Sequence, residues 1–491
     1  MFFSRRSLSV ALGFALCLLS VASCFARPNV LFIIVDDLRP ELGCYGVEGV
    51  TTPNLDSFAN EALLFERAYC QIATCRASRM SLLSGFRPTA REIGTNRDVR
   101  KGMQDIDPLP LHFRKNGYRT IGFGKIAHNG EEDVRCWSKP HRMPENAAYE
   151  YRTRAGRALV EKIRKDAAEA GKPDPFRQIP KKIHRGMAWE NLDVEDDDLG
   201  DGQIAELVLD ALDEKSDQPF FLAAGFLRPH LPFVAPKRYW DLYDPERLPH
   251  AKSLAPPPGS SSLVSNRSRE LLLQYRNLPE SLPLEPATER ALVHGYYACV
   301  SYIDAQIGRL LEGLKTRGLA DDTIVVITAD HGFQLGDHGM WGKATNFELS
   351  TRVPLLIRVP GSKSKGSRTD SLVELVSLYP TLCEVTELPL PGHLQGTSFA
   401  RLFEDPEAKL RETAFSQYYR GDATGYSVRT ENFRYTEWRD DKTDDLLYRA
   451  LFDYRLDEVE RENLVDQAAF AEEVAKLSGI LNRGWREGVY E

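Results

Sequence analysis

Two apolar runs, each ending in acidic or imidazole side chains, frame the chain. Asn29 to Asp37 reads N-V-L-F-I-I-V-D-D, and Thr323 to Gly332 reads T-I-V-V-I-T-A-D-H-G. Neither run alternates, so each predicts a strand covered on both faces, and hence a mostly parallel sheet in an α/β domain. Open sheets of this kind present ligands at the carboxyl ends of their strands, where Asp36, Asp37, Asp330 and His331 fall. Two further strands are predicted. Gly117 to Gly124 leads into a loop carrying Lys125 and His128, and Pro219 to Gly225 leads to His230, held on an extended loop between Pro229 and Pro232.

Helical periodicity appears at Gln203–Glu214 and at Glu289–Leu314, whose Tyr297, Val300, Ile303, Ile307, Leu310 and Leu311 mark one packed face. Thr52 to Ala59 predicts a capped helix start, and Met80, Leu82 and Leu83, with Gly85 and Pro88 behind them, predict a short helix beginning near Cys75. Residues 129–200 are polar, with the basic Lys181 to Arg185 and the acidic Glu195 to Asp198, which predicts an insertion of long loops in which the acidic run is a solvated face. Beyond about residue 409 the pattern changes to antiparallel strands near 426–430, 433–438 and 451–454 and a helix over Gln467 to Trp485.

The chain has 491 residues and is 42% hydrophobic, enough for a large domain and a smaller one. We expect a leader at 1–26, a catalytic α/β domain at 27–408 and an α+β subdomain with an antiparallel sheet at 409–491. In the leader, Arg5 and Arg6 precede an apolar run, the layout of a secretory signal, so export to the periplasm or the outside is expected. Val21-Ala22-Ser23-Cys24 has the form of a lipobox, which offers a lipid anchor at Cys24 as the alternative to plain secretion. No later segment reaches the roughly 18 apolar residues of a membrane span. A net charge of −8 argues against a general nucleic-acid binder. The cysteines past the leader are too sparse for a disulfide scaffold or a zinc site.

Candidate chemistry centres on Cys75. At a helix N-terminus, free N–H groups and the dipole favour an anionic nucleophile or a bound oxyanion. Arg79 lies one turn on, along the same face. A phosphatase-type Cys-x-x-x-x-x-Arg is excluded, because the sixth residue after Cys75 is Ser81. Three carboxylates and one imidazole make a hard-cation site, for Ca²⁺ or Mg²⁺ rather than Zn²⁺.

The string Cys75-Arg76-Ala77-Ser78-Arg79, followed by Gly85-Phe86-Arg87-Pro88, resembles the maturation signature of the type I sulfatases. Val35 to Pro40, Gly43 to Gly46, Gly-Lys-x-x-His at 124–128, Pro-His-x-Pro-Phe at 229–233 and Asn346-Phe347 extend the likeness and place it closest to the iduronate-2-sulfatase branch. Ala77 stands where the common signature has Pro, and Phe333 where that branch has Trp.

The resemblance implies an alkaline-phosphatase-like fold and a formylglycine made from Cys75 by a maturation enzyme. It implies that Asp36, Asp37, residue 75, Asp330 and His331 hold Ca²⁺, and that Lys125, Lys343 and Arg79 neutralise the sulfate. His230 would protonate the leaving alcohol, and His128 would deprotonate the second hydroxyl of the hydrated aldehyde. Arg39 would pair with a substrate carboxylate, as suits exo removal of 2-O-sulfate from a uronic acid residue of a sulfated glycan. Two alternatives stand beside this: a phosphoester or phosphonate monoester hydrolase of the same superfamily, and a non-catalytic sulfated-glycan binder if Cys75 stays a thiol. Sequence leaves the oligomeric state open.

Overall fold

The computed structural model describes residues 27–88, 105–128, 131–144, 153–175 and 179–488. The expected leader and Cys24 lie outside the described residues. Seven strands form the central sheet in the order Arg368–Thr369, Leu63–Phe65, Leu355–Arg358, Thr323–Ala329, Asn29–Val35, Phe220–Phe226, Arg119–Gly124. The last four run parallel, and Leu355–Arg358 is antiparallel to both its neighbours. As the unbroken apolar runs require, Val30 to Val35 and Ile324 to Ile327 are essentially inaccessible to solvent.

Strand register sets where the acidic side chains meet. Val35 pairs with Phe226 on one side and with Ala329 on the other, so three strands end at the same level. The Asp36 N–H donates to the Phe226 carbonyl and the Asp330 N–H to the Val35 carbonyl, which continues that alignment one residue past the strands. Asp36 and Asp330 are thereby brought side by side although nearly three hundred positions separate them.

The helix expected near Cys75 spans Cys75–Ser84 and is buried at every position but Arg76. Gly85 ends it in the left-handed region at φ 73°, and a Cβ there would meet a Leu394 methyl at 2.3 Å. Pro286–Thr316 is the long amphipathic helix, a turn longer at its start than its apolar pattern, because Pro286 opens it and Glu289 sits in its first turn.

Two expectations for 129–200 need correction. This segment holds an amphipathic helix, Arg154–Glu169, capped by Thr153, whose apolar Leu159, Val160 and Ile163 recur at helical spacing but sit among so many charges that the stretch reads as loop. It also holds a short helix, Lys181–Arg185, and a strand, Trp189–Leu192, paired with Phe233–Pro236. The acidic run is a capped 3₁₀ turn rather than a solvated face throughout: Asp196 is buried and accepts from Tyr239 Oη and Gln306 Nε2, both at 2.8 Å.

At the C-terminal end, Ala414–Arg420, Ala423–Arg429, Phe433–Asp440 and Leu446–Asp453 form a four-stranded antiparallel sheet, one strand more than expected. The helix Ala471–Glu487 covers it, burying Phe415, Val428, Tyr435, Leu451, Leu477 and Leu481 in a core of their own.

Candidate active site

The N-terminus of Cys75–Ser84 points at the carboxyl edge of the sheet. His331 Nδ1 donates to the Gly332 carbonyl at 3.0 Å. Its Nε2 is thereby turned towards Cys75 Sγ at 3.3 Å and the carboxylates of Asp37 and Asp330 at 3.5 and 3.6 Å. Donor atoms of Asp36, Cys75, Asp330 and His331 all lie within 4.8 Å of one another, and those of Asp36, Asp37, Cys75 and His230 make a second such group.

The residues fit a hard cation on their own evidence. Asp36 Oδ1 is buried and accepts no hydrogen bond; its nearest charge partner is Arg79 Nη2 at 3.5 Å. A buried carboxylate oxygen left without a donor is costly unless something positive meets it. With three carboxylates and one imidazole, the set matches Ca²⁺ or Mg²⁺.

Lysines supply the remaining charge. Lys125 Nζ pairs with Asp36 Oδ2 at 2.5 Å, and Lys343 Nζ with both oxygens of Asp37 at 2.8 and 2.9 Å. Burial pushes the Asp36 carboxyl up, but Lys125, His230, Arg79 and Lys343 together hold it well below the usual carboxylate range. For Asp37 burial wins over Lys343 and its pKa is raised. The Cys75 thiol is pushed well up, first by burial and then by Asp36, so as a thiol it is a poor nucleophile. Burial and the neighbouring Lys125 bring the His128 imidazole down to about 3, which leaves it neutral and able to accept a proton near neutral pH.

The family model described as Sulfatase matches residues 28–388, and the model of the N-sulphoglucosamine sulphohydrolase C-terminal region matches 336–486. The chain belongs to the sulfatase family.

Among relatives of this sulfatase, iduronate 2-sulfatase of Homo sapiens is 34% identical over 489 residues, covering 84% of each chain. A sulfatase of Formosa agariphila is 30% identical over 431 residues, covering 84% of this chain and 79% of its own. Among solved structures, the phosphonate monoester hydrolase of Agrobacterium radiobacter superposes with a TM-score of 0.73 over 94% of this chain and 96% of its own, at 23% identity. That last likeness establishes the fold, an alkaline-phosphatase-like α/β architecture. The enzyme is a sulfuric ester hydrolase.

Cys75, Lys125, His128, His230 and Lys343 line one cavity of about 600 Å³ in this sulfatase. Two expected contributors do not line it. Arg39 is 8% exposed and its guanidinium pairs with Glu41 and Asp337, at 2.7 and 2.8 Å, on the wall of a different cavity. Arg79 is fully buried behind the carboxylates, bonded to Asp330 Oδ2 at 2.8 Å and to the Lys125 carbonyl. Its charge reaches the site through those carboxylates. Phe333 belongs to the core, stacked on Tyr296 at 5.8 Å, so its difference from Trp does not touch the cavity.

Sequence reasoning misses three residues that hold this arrangement. Tyr296 Oη donates to the Asp37 carbonyl at 2.9 Å and accepts from the Arg39 N–H at 3.0 Å. It thus pins Asp37 in the left-handed region at φ 63°, which costs a residue with a Cβ roughly 1 kcal/mol or more. Ser78 Oγ donates to the Asp330 carbonyl from inside the helix. Glu270 sits 3.2 Å from both His230 Nε2 and Lys343 Nζ. In the sequence Tyr296 is one more core aromatic and Glu270 one of many acids, and neither carries a local motif.

Proposed function

We propose that this enzyme removes sulfate esters from a sulfated glycan by exo action, with 2-O-sulfate on a uronic acid residue as its target. The observation that carries the reading is the convergence of Asp36, Asp330, His331 and Cys75 donor atoms at the floor of a lysine-lined cavity. Similarity to the iduronate 2-sulfatases over most of the chain supports the position of the ester. Cys75 is the site of formylglycine, produced by a maturation enzyme with an external oxidant. Its hydrated form supplies an oxygen nucleophile for sulfur and a second hydroxyl for release. Asp36, Asp37, Asp330, His331 and residue 75 would hold Ca²⁺, which supplies a Lewis acid for a sulfate oxygen.

The remaining steps belong to this chain's own side chains. Lys125 and Lys343 face the sulfate and stabilise the charge on its equatorial oxygens. Arg79 orients the Asp330 and Asp36 carboxylates, bonded to Asp330 Oδ2 at 2.8 Å and 3.5 Å from Asp36 Oδ1. His230 Nδ1 donates to the Leu231 carbonyl at 2.6 Å, which fixes the ring, and Nε2 presents its proton from beside Glu270 to the leaving oxygen. His128, held neutral by burial, takes the proton that frees the sulfate. Residues 27–408 make up the catalytic unit and 409–491 a subdomain whose sheet braces the loop after Lys343, and the protein acts after export.

The test is the mass of the peptide containing Cys75 from protein of the native host. A loss of about 18 Da, the change from thiol to aldehyde, is expected. An unmodified thiol there sinks the formylglycine mechanism and brings the glycan-binding reading forward. Phosphate-ester turnover exceeding sulfate-ester turnover sinks the choice of ester.

A further inference from the structure

Lys181 and Arg185, at the two ends of the basic segment, have no part in the steps above, yet they line the same cavity. The lining has two tiers. Cys75, Lys125, His230 and Lys343 form a buried floor, and the two floor lysines are already matched by Asp36 and Asp37. Above them stand Lys181, Arg185 and Arg269; Lys181 and Arg269 are exposed and Arg185 is half-buried.

These outer cations come from two short helices in contact, Lys181–Arg185 and Arg269–Gln274. Lys181 and Arg185 are one turn apart, hence on one face. Arg185 Nη1 donates to Tyr275 Oη at 3.2 Å and its guanidinium lies over that ring, which orders it against the second helix. Glu270 is the carboxylate among the described residues of the lining, and it is engaged with His230 and Lys343 at 3.2 Å. Lys181 and Arg269, both exposed, therefore add positive charge above a floor whose two lysines already face Asp36 and Asp37.

A sulfate monoester with a neutral alcohol would call on the floor alone. We propose that Lys181, Arg185 and Arg269 bind a second anionic group of the substrate, a carboxylate or a further sulfate, on the sugar carrying the scissile ester or on the next one. This assigns to the outer tier the recognition expected of Arg39, whose guanidinium the structure places elsewhere. The inference rests on reading the Cys75 cavity as the sulfate-ester site.

The full, matured enzyme is assayed with an aryl sulfate, a 2-sulfated uronic acid monosaccharide and a disulfated neutral sugar. The wild type is compared with the Lys181→Ala/Arg269→Ala double variant and with Arg269→Glu. Both side chains are exposed, so folding survives the changes. The ratio of kcat/KM for doubly charged over singly charged substrates is expected to fall about 10-fold or more, mainly through KM, and less at high salt. The doubly charged probe that loses more identifies the group bound, carboxylate or sulfate. A ratio unchanged within about twofold in both variants overturns the proposal. If the matured wild type hydrolyses none of the three, the sulfatase reading of the cavity has failed, and the outer tier falls with it.

Discussion

At the scale of single residues, the site holds charge that its neighbours keep in one state. On the proposed role of Cys75 as the source of the nucleophile, Cys75→Ala is expected to abolish turnover while the fold persists, as read by circular dichroism. Lys343→Ala removes a charged donor facing the sulfate, and kcat should fall about 100-fold to 1,000-fold with a smaller change in KM. For His128 the sign of the pH effect is fixed by its pKa of about 3. Above that value the ring is neutral and competent, and as pH falls towards it the ring gains a proton and loses its role as base. A pH–rate profile should show an acidic limb that is absent in His128→Gln, whose kcat falls by about 100-fold or more. The lysines and histidines of the floor were legible through the family resemblance; local pattern put Lys125 and His128 after a strand and His230 between prolines, and gave Lys343 no signal of its own. Arg39 was misplaced because sequence shows adjacency to Asp37 but not the direction of a side chain two residues past a left-handed turn.

Among the elements, the loop carrying Lys343 depends on the C-terminal sheet. Arg420 Nη2 donates to the Ala344 carbonyl at 2.7 Å and Asn346 Nδ2 to the Gly425 carbonyl at 2.9 Å. Glu348 then accepts from Arg434 at 2.5 Å and from Tyr69 Oη at 2.9 Å, while Arg429 stands 3.3 Å away. Burial pushes the Glu348 carboxyl up, but Arg429 and Arg434 outweigh it and bring it to about 2; Glu374, paired with Arg411 and Arg87, is likewise brought to about 2. Both carboxylates have folded pKa values below their unfolded ones. Their contribution, roughly 3 kcal/mol each, is complete above pH 4.5 and is lost as pH falls towards 2. Glu348→Gln leaves Arg434 buried with less charge to meet it, so the unfolding midpoint should drop at neutral pH by the equivalent of about 3 kcal/mol or more, and the acid-induced fall should be shallower. An unchanged midpoint would remove Glu348 from the clamp. The pairs of Glu348 with Arg429 and Arg434 were not readable in advance, since they join residues 81 and 86 positions apart with no motif around either.

For the whole molecule, the cation site joins the first strand, the Cys75 helix and the strand Thr323–Ala329, so metal bound there stabilises all three at once. Chelation should lower the thermal midpoint and abolish turnover, and Ca²⁺ should restore both; at 100 times its Kd a bound ion adds about 2.7 kcal/mol. Restoration by Zn²⁺ and not by Ca²⁺ would contradict a hard-cation site. Among the described residues no helix is long and apolar enough to cross a membrane.

What the sequence determined by itself was the set of strongly patterned pieces: unbroken apolar strands, the long helix, and the Cys75 signature with its carboxylates. Burial on both faces leaves a local imprint along the chain. Tertiary structure alone decided the level at which the strands end, the inward turn of Glu270, the outward turn of Arg39 and the outer cationic tier. Those features depend on register and on contacts between distant segments, and such contacts leave no period in the sequence.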